Sequence, residues 1–452
     1  MLGIKDRSAH TPPVLRPGRH PHDREIVRLA VPAFGALIAE PLYVLADTAV
    51  VGHLGTAQLG GLAVASSVLL TLYAAFIFLA YGTTAAVSRL LGAGDERQAA
   101  HQAVQSLWLA LFAGIGLAVL GAVLAEPIVG ALGADGAVRA NALVYLRISL
   151  VGIPSLLVVL AGTGYLRGIQ DTRTPLVVAA GTSVLNLVLQ LVLIYGFDQG
   201  IGASALSTVV AQTVGAAVYV WRVAGPARRL GADLRPHPAS LRRLAVVGRD
   251  LLLRTAALRV ALVAGTAVAT RIGTDDLAAY EISFQIWSFL AYVLDALAIA
   301  GQAIVGRSLG AEQADDARSA SRRMIEIGVV VGAALGLVVL ALRTVLPHVF
   351  TDDAAVIDLA AFTLVWVAAL QPVNAVAFVL DGVLIGAGDM RFLAWAMAGA
   401  SAVFVPAAGA VLALDLGIGW LWAALGLLMT ARAGALLWRF ASDRWVVLGA
   451  TR

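Results

Sequence analysis

Twelve runs of mostly apolar residues follow one another along this chain of 452 residues. Each is at least about 20 residues long, the length that a helix needs to cross the hydrocarbon core of a bilayer. Period-2 alternation is absent, and in lipid only helices and closed barrels satisfy every backbone polar group. The sequence therefore predicts an all-α polytopic membrane protein of twelve transmembrane helices. These cover residues 27–51, 60–90, 98–124, 138–165, 175–196, 200–223, 246–272, 277–307, 321–346, 355–385, 392–414 and 418–440.

The composition agrees with this class and excludes several kinds of chemistry. Hydrophobic residues make up 60% of the chain and charged residues only 13%, whereas soluble domains contain about 25% charged residues. The chain has no cysteine, which excludes disulfides, thiol catalysis and thiolate metal sites. No phosphate-binding glycine loop, HExxH motif or nucleophile elbow is found in a suitable context. We therefore expect no enzyme, no metal site, no cofactor and no nucleic-acid partner.

Arginine is concentrated in alternate loops. The N-terminal segment holds Arg16, Arg19, Arg24 and Arg28, and the central linker is the richest of all in arginine. The positive-inside rule then places both termini in the cytoplasm of a protein of the cell membrane. The first residues are polar and lack the apolar core of a signal peptide, so residues 1–24 are interpreted as a cytoplasmic tail.

The chain contains an internal repeat. LGT at 54–56 recurs as IGT at 272–274, and RLLGA at 89–93 recurs as RSLGA at 307–311, in both cases 218 residues later. Six spans per copy mean that both copies enter the membrane in the same sense, with a cavity between them about which they can rock. We predict two pseudo-symmetric six-helix lobes. Their boundaries are 25–223 for the first lobe, 224–245 for a cytoplasmic linker and 246–445 for the second lobe.

Asp47 lies inside the first span, five residues before its outer end. A carboxylate at bilayer depth costs at least ~2.5–3.5 kcal/mol, so such a residue usually has a function. At 1.5 Å per residue Asp47 lies about 7–8 Å below the outer surface. Four polar residues reach a similar depth from other spans, which predicts a proton or Na⁺ site; the alternative is a fixed hydrogen-bond cluster. They are Tyr145 in the fourth span, Asn186 and Gln190 in the fifth, and Thr208 in the sixth.

The first span also contains two prolines and a second acid. Pro32 and Pro41 each remove a backbone hydrogen bond, so this helix is expected to bend. The bend either responds to the charge on Asp47 or is a static kink. Glu40 lies two turns before Asp47 on nearly the same face, as a relay, a counter-ion for substrate or a neutral hydrogen-bonded group.

Three acids lie within spans of the second half and are secondary candidates for the coupling site. Asp295 lies near the middle of its span and is the strongest of them. Glu281 lies near the outer end, where an interfacial position is the alternative. Asp381 lies near the inner end, where a pair with Arg391 is the alternative. Arg254 is close enough to the cytoplasmic end of its span to snorkel.

The motifs carrying these residues resemble those of the multidrug and toxic compound extrusion (MATE) transporters. They are PLYVLADTAVVGHLGT around Asp47, RLLGAG at 89–94 and LRGIQDTRTP at 166–175, and the second half is similar to the DinF branch. The resemblance implies a MATE-type fold and export of amphipathic, often cationic, drugs or toxins against H⁺ or Na⁺. We expect a monomer.

Residue by residue, the resemblance implies a coupling site at Asp47, Tyr145, Asn186 and Thr208, with Pro32 as the bending proline. The family pattern has a second aspartate where this chain has Gln190. With one carboxylate fewer for a hard cation, H⁺ is favoured over Na⁺. A lipid-linked precursor flippase of the same superfamily is the alternative; it requires Arg147 and Arg259 to face the cavity.

Overall fold

The structure is a computed structural model, and it describes residues 20–197 and 199–451. Twelve helices in this part of the chain are long and apolar enough to cross a membrane, which confirms the predicted number. Residues 1–19 of the predicted tail, with Arg16 and Arg19, lie outside the described residues. The α-helices are α1 (Asp23–Gly52), α2 (Thr56–Phe76), α3 (Phe78–Gly92), α4 (Glu96–Ala131), α5 (Gly136–Gly168), α6 (Arg173–Leu191), α7 (Ile201–Arg229), α8 (Pro238–Ile272), α9 (Thr274–Gly310), α10 (Ala314–Leu342), α11 (Ala354–Gly386), α12 (Met390–Ala413) and α13 (Ile418–Ala441).

Two spans depart from a single regular helix. The second span consists of α2 and α3, which meet at Ile77. The fifth span is α6 extended by a π-helical turn, Val192–Gly196. A short 3₁₀ turn, Leu346–Val349, follows α10.

The segment between the lobes is shorter than its composition suggests. α7 continues to Arg229 and α8 begins at Pro238, because proline is well tolerated in the first turn of a helix. Only residues 230–237 form a loop. This loop is held against α4, where the Trp108 Nε1–H donates to the Leu234 carbonyl at 2.8 Å.

The helices form two six-span groups that share one packing pattern. In the first group α5 is central and packs against α2, α3, α4 and α7. In the second group α11 is central and packs against α9, α10 and α13. Likewise α1 packs on α6 as α8 packs on α12. The two pseudo-symmetric six-helix lobes predicted from the repeat are therefore present.

The lobes meet most closely at one end of the bundle, which we call the terminal face: the side at which α1 begins and α13 ends. There α3 crosses α9. A β-carbon at Gly92 would collide with the Arg307 carbonyl, and one at Gly310 would collide with the Arg89 carbonyl. These four residues belong to the two copies of the repeated RxLGA motif. Glycine is required because the backbones approach too closely for any side chain.

Polar contacts also join the lobes at the terminal face. Arg323 of α10 pairs with Asp23 of α1, with 2.6 Å between Nε and Oδ1. The Gln170 side chain donates to Glu25 at 2.9 Å and accepts from Arg307 at 3.0 Å. The terminal face is therefore closed between the lobes.

Candidate functional site

A cavity of about 290 Å³ lies among the helices of the first lobe. Its volume is close to the lower limit of ligand pockets, about 300–1,000 Å³. Its wall runs from Asp47, near the face opposite the termini, to Arg167, next to the terminal end of α5. Among the described residues that line it, Asp295 is the one contributed by the second lobe. The wall is rich in tyrosine: Tyr43, Tyr73, Tyr81, Tyr145 and Tyr219.

Asp47 lies in this wall with only 5% of the residue exposed. Its Oδ1 accepts hydrogen bonds from Gln190 Nε2 at 2.6 Å and from Ser204 Oγ at 2.5 Å. Its Oδ2 accepts a longer one from the Tyr145 hydroxyl at 3.4 Å. The donors come from α6, α7 and α5. One carboxylate on α1 thus connects four helices of the first lobe.

A second layer of polar side chains lies beside these donors. The Asn186 side-chain amide donates to Thr208 Oγ1 at 3.0 Å, and Asn186 Oδ1 accepts from Ser207 at 3.1 Å. The hydroxyls of Tyr43 and Thr208 share a hydrogen bond of 2.7 Å. The Thr208 hydroxyl also donates to the Ser204 carbonyl, so the two layers are connected.

All five residues predicted for the coupling site therefore lie in one region of the first lobe. Gln190 and Tyr145 contact the Asp47 carboxylate directly, whereas Asn186 and Thr208 belong to the second layer. Sequence reasoning missed Ser204 and Tyr43. Helical spacing could have indicated both, since Ser204 lies four residues before Thr208 and Tyr43 four residues before Asp47, on the same helix faces.

No cationic side chain among the described residues forms an ion pair with the Asp47 carboxylate. Its three hydrogen-bond donors are neutral, and no group of three or more His, Cys, Asp or Glu side chains that could hold a metal occurs in residues 20–197 and 199–451. The Gln190 Oε1 atom is buried and has no hydrogen-bond partner there. A buried acceptor without a donor is uncommon, and this one belongs to the side chain that donates to the carboxylate.

The remaining candidate residues of the first span, Pro32, Glu40 and Pro41, lie on α1 together with Asp47. Pro32 and Pro41 lie within the continuous α1. Without an N–H at these positions, the carbonyls of Arg28 and Leu37 have no partner in the helical ladder. Glu40 lines the cavity, and its carboxyl group lies next to the Tyr73 hydroxyl.

The acids of the second lobe are in three different environments. Asp295 faces the cavity, as described above. Glu281 is exposed, in agreement with an interfacial position. The suggested pairing of Asp381 with Arg391 is wrong.

Asp381 instead pairs with two arginines of other helices. Its Oδ2 accepts from Arg254 of α8 and from Arg432 of α13. The snorkelling position suggested for Arg254 is therefore wrong as well, because this side chain is directed to a buried acid and is only 12% exposed. Arg432 also lies over the Phe378 ring, 5.3 Å from its centroid.

The two arginines that a flippase would direct into the cavity lie elsewhere. Arg147 pairs with Glu126 at 2.6 Å, and both side chains are more than half exposed. Arg259 is exposed on α8. Neither lines the cavity, so these two arginines do not have the arrangement that a flippase requires.

Comparison with known proteins decides the family. The MatE family model matches residues 32–192 and 253–409, which is most of the chain. The chain belongs to the MATE family. Members of this family are membrane transporters and not enzymes, and this MATE protein is a multi-pass membrane protein.

The similar proteins cover nearly the whole chain. DNA damage-inducible protein F of Escherichia coli K12 is 30% identical over 92% of each chain. The chloroplastic protein DETOXIFICATION 44 of Arabidopsis thaliana is 31% identical over 92% of this chain and 81% of its own. A solved MATE structure in a bent conformation superposes with a TM-score of 0.86, covering 93% of this chain and 95% of that one at 21% identity.

Proposed function

We propose that this MATE protein exports amphipathic, often cationic, small molecules in exchange for H⁺, with Asp47 as the protonation site. The observation that carries the proposal is the setting of Asp47 in the cavity wall, held by three neutral donors. Because no cationic side chain among the described residues pairs with Asp47, no ion pair holds its carboxylate in the ionised form, and it can take up and release a proton. A carboxylate held in an ion pair by a fixed cation could not act in this way.

Protonation changes the hydrogen bonds that the Asp47 carboxyl group can form with its neighbours. The ionised group accepts from Gln190, Ser204 and Tyr145, which ties α1 to α6, α7 and α5. The protonated group has fewer acceptor sites and one O–H to donate. The buried Gln190 Oε1 has no partner among the described residues, and a rotation of this amide would let that oxygen accept a hydrogen bond from the carboxylic O–H. Gln190 can therefore form a hydrogen bond with Asp47 in both charge states of the carboxyl group.

The prolines of α1 supply the mechanical link. Pro32 and Pro41 weaken the hydrogen-bond ladder on either side of Glu40, so α1 bends at low cost when its ties to the other helices change. Bending of α1 alters the shape of the cavity that Asp47 and Glu40 line. Such a change alternately favours proton and substrate, as antiport requires.

The charge of the site supports H⁺ as the coupling ion. Na⁺ prefers several oxygen ligands and, like other hard cations, is bound more tightly as the number of carboxylates rises. Among the described residues, Asp47 is the carboxylate of this hydrogen-bonded cluster, and the groups that donate to it are neutral. Gln190 stands where the resemblance implies a second acid. We therefore favour H⁺, with Na⁺ as the alternative.

We infer further that the terminal face is cytoplasmic and that the protein lies in the cell membrane as a monomer. The lobes would comprise residues 25–223 and 246–445, joined by 224–245 and preceded by the tail 1–24. Closure of the terminal face then corresponds to a state closed toward the cytoplasm. The arginine content of the loops on that side supports this orientation.

Transport in reconstituted vesicles tests the proposal. A panel of fluorescent lipophilic cations is loaded, and an H⁺ gradient and a Na⁺ gradient are imposed in separate experiments. We expect dye movement with the H⁺ gradient and none with Na⁺ alone. Dye movement with Na⁺ alone would replace H⁺ by Na⁺, and no movement with either gradient would contradict the antiport function.

A further inference from the structure

Among the described residues that line the cavity, Arg167 is the one that carries a positive charge. It lies next to the end of α5, is only 8% exposed, and forms no ion pair with any residue of the described ranges 20–197 and 199–451. Three other largely buried arginines pair with acids: Arg254 and Arg432 with Asp381, and Arg439 with Asp389 at 2.6 Å. Burial of an uncompensated charge is costly. Arg167 therefore presents an unpaired cation to the cavity, where an anionic group of a ligand would pair with it.

Asp295 presents the opposite charge from the other lobe. It is half-buried on α9, and the part of the chain that the structure describes gives its carboxylate no hydrogen bond and no ion pair. Arg167 and Asp295 line the same cavity, one from each lobe. Within the described residues the two side chains are not in ion-pair contact, although both border the cavity.

These charges do not belong to the repeated framework of the fold. The position 218 residues before Asp295 is Ile77, and the position 218 residues after Arg167 is Ile385. Residues that serve the shared packing, such as Gly92 and Gly310, are repeated. Arg167 and Asp295 each occur in one lobe only, which is expected of residues that contact an asymmetric ligand.

We propose that Arg167 and Asp295 form a two-charge subsite in which Arg167 binds an anionic group of the substrate and Asp295 binds a cationic group. The subsite rests on the proposed transport function and adds a requirement for substrate structure. A guanidinium forms two parallel hydrogen bonds to a carboxylate, which fixes the orientation of the ligand. Tyr73 and Tyr81 provide aromatic wall nearby. An amphoteric aromatic ligand in this position contacts both lobes at once.

Equilibrium binding of two matched dyes to the purified full-length protein tests the subsite. Rhodamine 110 carries a free carboxylate on a cationic ring system, and rhodamine 123 is its methyl ester. In Arg167→Gln we expect the Kd of rhodamine 110 to rise about tenfold, because a neutral amide replaces the charge-assisted pair of hydrogen bonds to the carboxylate. The Kd of rhodamine 123 should not rise with it. Asp295→Asn should weaken both dyes, because each carries the cation.

The control variant is Arg391→Gln, which removes an exposed arginine outside the cavity and should change neither Kd. Equal shifts of both dyes in Arg167→Gln would mean that Arg167 only balances the charge of Asp295, and would overturn the subsite. Failure of the wild-type protein to bind rhodamine 110 would also overturn it. If Arg167→Gln is not recovered as a monodisperse protein, Arg167→Lys replaces it. The ammonium group cannot form the double hydrogen bond, so rhodamine 110 should again lose more affinity than rhodamine 123, and equal shifts would overturn the proposal.

Binding is independent of the transport assay. A wild-type protein that binds both dyes as expected but exports neither would contradict the antiport function and leave the subsite intact. A protein that exports rhodamine 123 but shows no selective effect of Arg167→Gln would support the antiport function and overturn the subsite.

Discussion

The side-chain amide of Gln190 donates a hydrogen bond of 2.6 Å to the carboxylate of Asp47. The resemblance to the family implies a second aspartate at the position of Gln190. An amide at this distance stabilises the ionised carboxylate without adding a charge of its own, whereas a second carboxylate would repel it. In the proposed function, an amide in place of this acid lowers the negative charge of the site, which favours H⁺ over Na⁺.

Gln190→Asp should raise the affinity for Na⁺. Two carboxylates on facing helices would supply both the charge and the oxygen ligands that the present site lacks. The measurement is the thermal midpoint of the purified protein as a function of Na⁺ concentration, because a ligand that binds only the folded state stabilises it. Choline chloride at equal ionic strength is the control. A midpoint that does not respond to Na⁺ would refute this explanation of the glutamine.

Asp47→Asn should reduce efflux driven by a pH gradient to the level of vesicles without protein. Asparagine is nearly isosteric with aspartate but does not exchange a proton, so the coupling step is lost while the packing is retained. Glu126→Gln is the matched control: it removes a carboxylate that is more than half exposed, at the Arg147 pair, and should transport normally. Wild-type rates in a correctly folded Asp47→Asn protein would eliminate Asp47 as the protonation site.

Much of the architecture could be predicted because hydrocarbon thickness restricts what a membrane chain can do. Twelve spans follow from length and apolar composition alone, and two equivalent lobes follow from the repeat. Asp47, Gln190 and Tyr145 could be brought together because a polar side chain at bilayer depth seeks polar partners at the same depth.

The partners of Asp381 could not be predicted in this way. Arg391 is close to it in sequence, but Arg254 and Arg432, which contact it, are 127 and 51 residues away. Which face of a span is directed at its neighbours depends on the rotation of the helix. In spans that are apolar on all sides hydropathy carries little information about rotation. Ser204 was missed because serine side chains commonly bond to their own helix, although its spacing of four residues from Thr208 places both on one helix face.

Gly92→Val and Gly310→Val should each prevent closure of the terminal face. The added side chain would meet the Arg307 carbonyl in the first variant and the Arg89 carbonyl in the second, so α3 and α9 must separate. The chain has no cysteine, which allows clean spin labelling at Arg97→Cys and Asp315→Cys near the start of α4 and α10. We expect a longer distance between the labels in both glycine variants than in the labelled parent, together with slower transport.

Gly434→Ala is the control for these variants, because a β-carbon at Gly434 meets no atom within 4 Å. It should leave both the label distance and the transport rate unchanged. An unchanged label distance in Gly92→Val would show that the two backbones do not need to approach at this crossing.

Asp381→Asn should destabilise the folded protein strongly, since it leaves Arg254 and Arg432 facing each other without the carboxylate that both contact. Removal of one partner from a buried ion pair costs about 3–5 kcal/mol, whereas an exposed pair contributes at most about 1 kcal/mol. The thermal midpoint in detergent should therefore fall far more for Asp381→Asn than for Glu126→Gln, which disrupts the exposed Arg147 pair. The double variant Asp381→Asn with Arg432→Met should recover part of the loss, because it removes one of the two uncompensated charges. Equal midpoints for Asp381→Asn and Glu126→Gln would mean that the charges of this cluster are balanced by something other than Asp381.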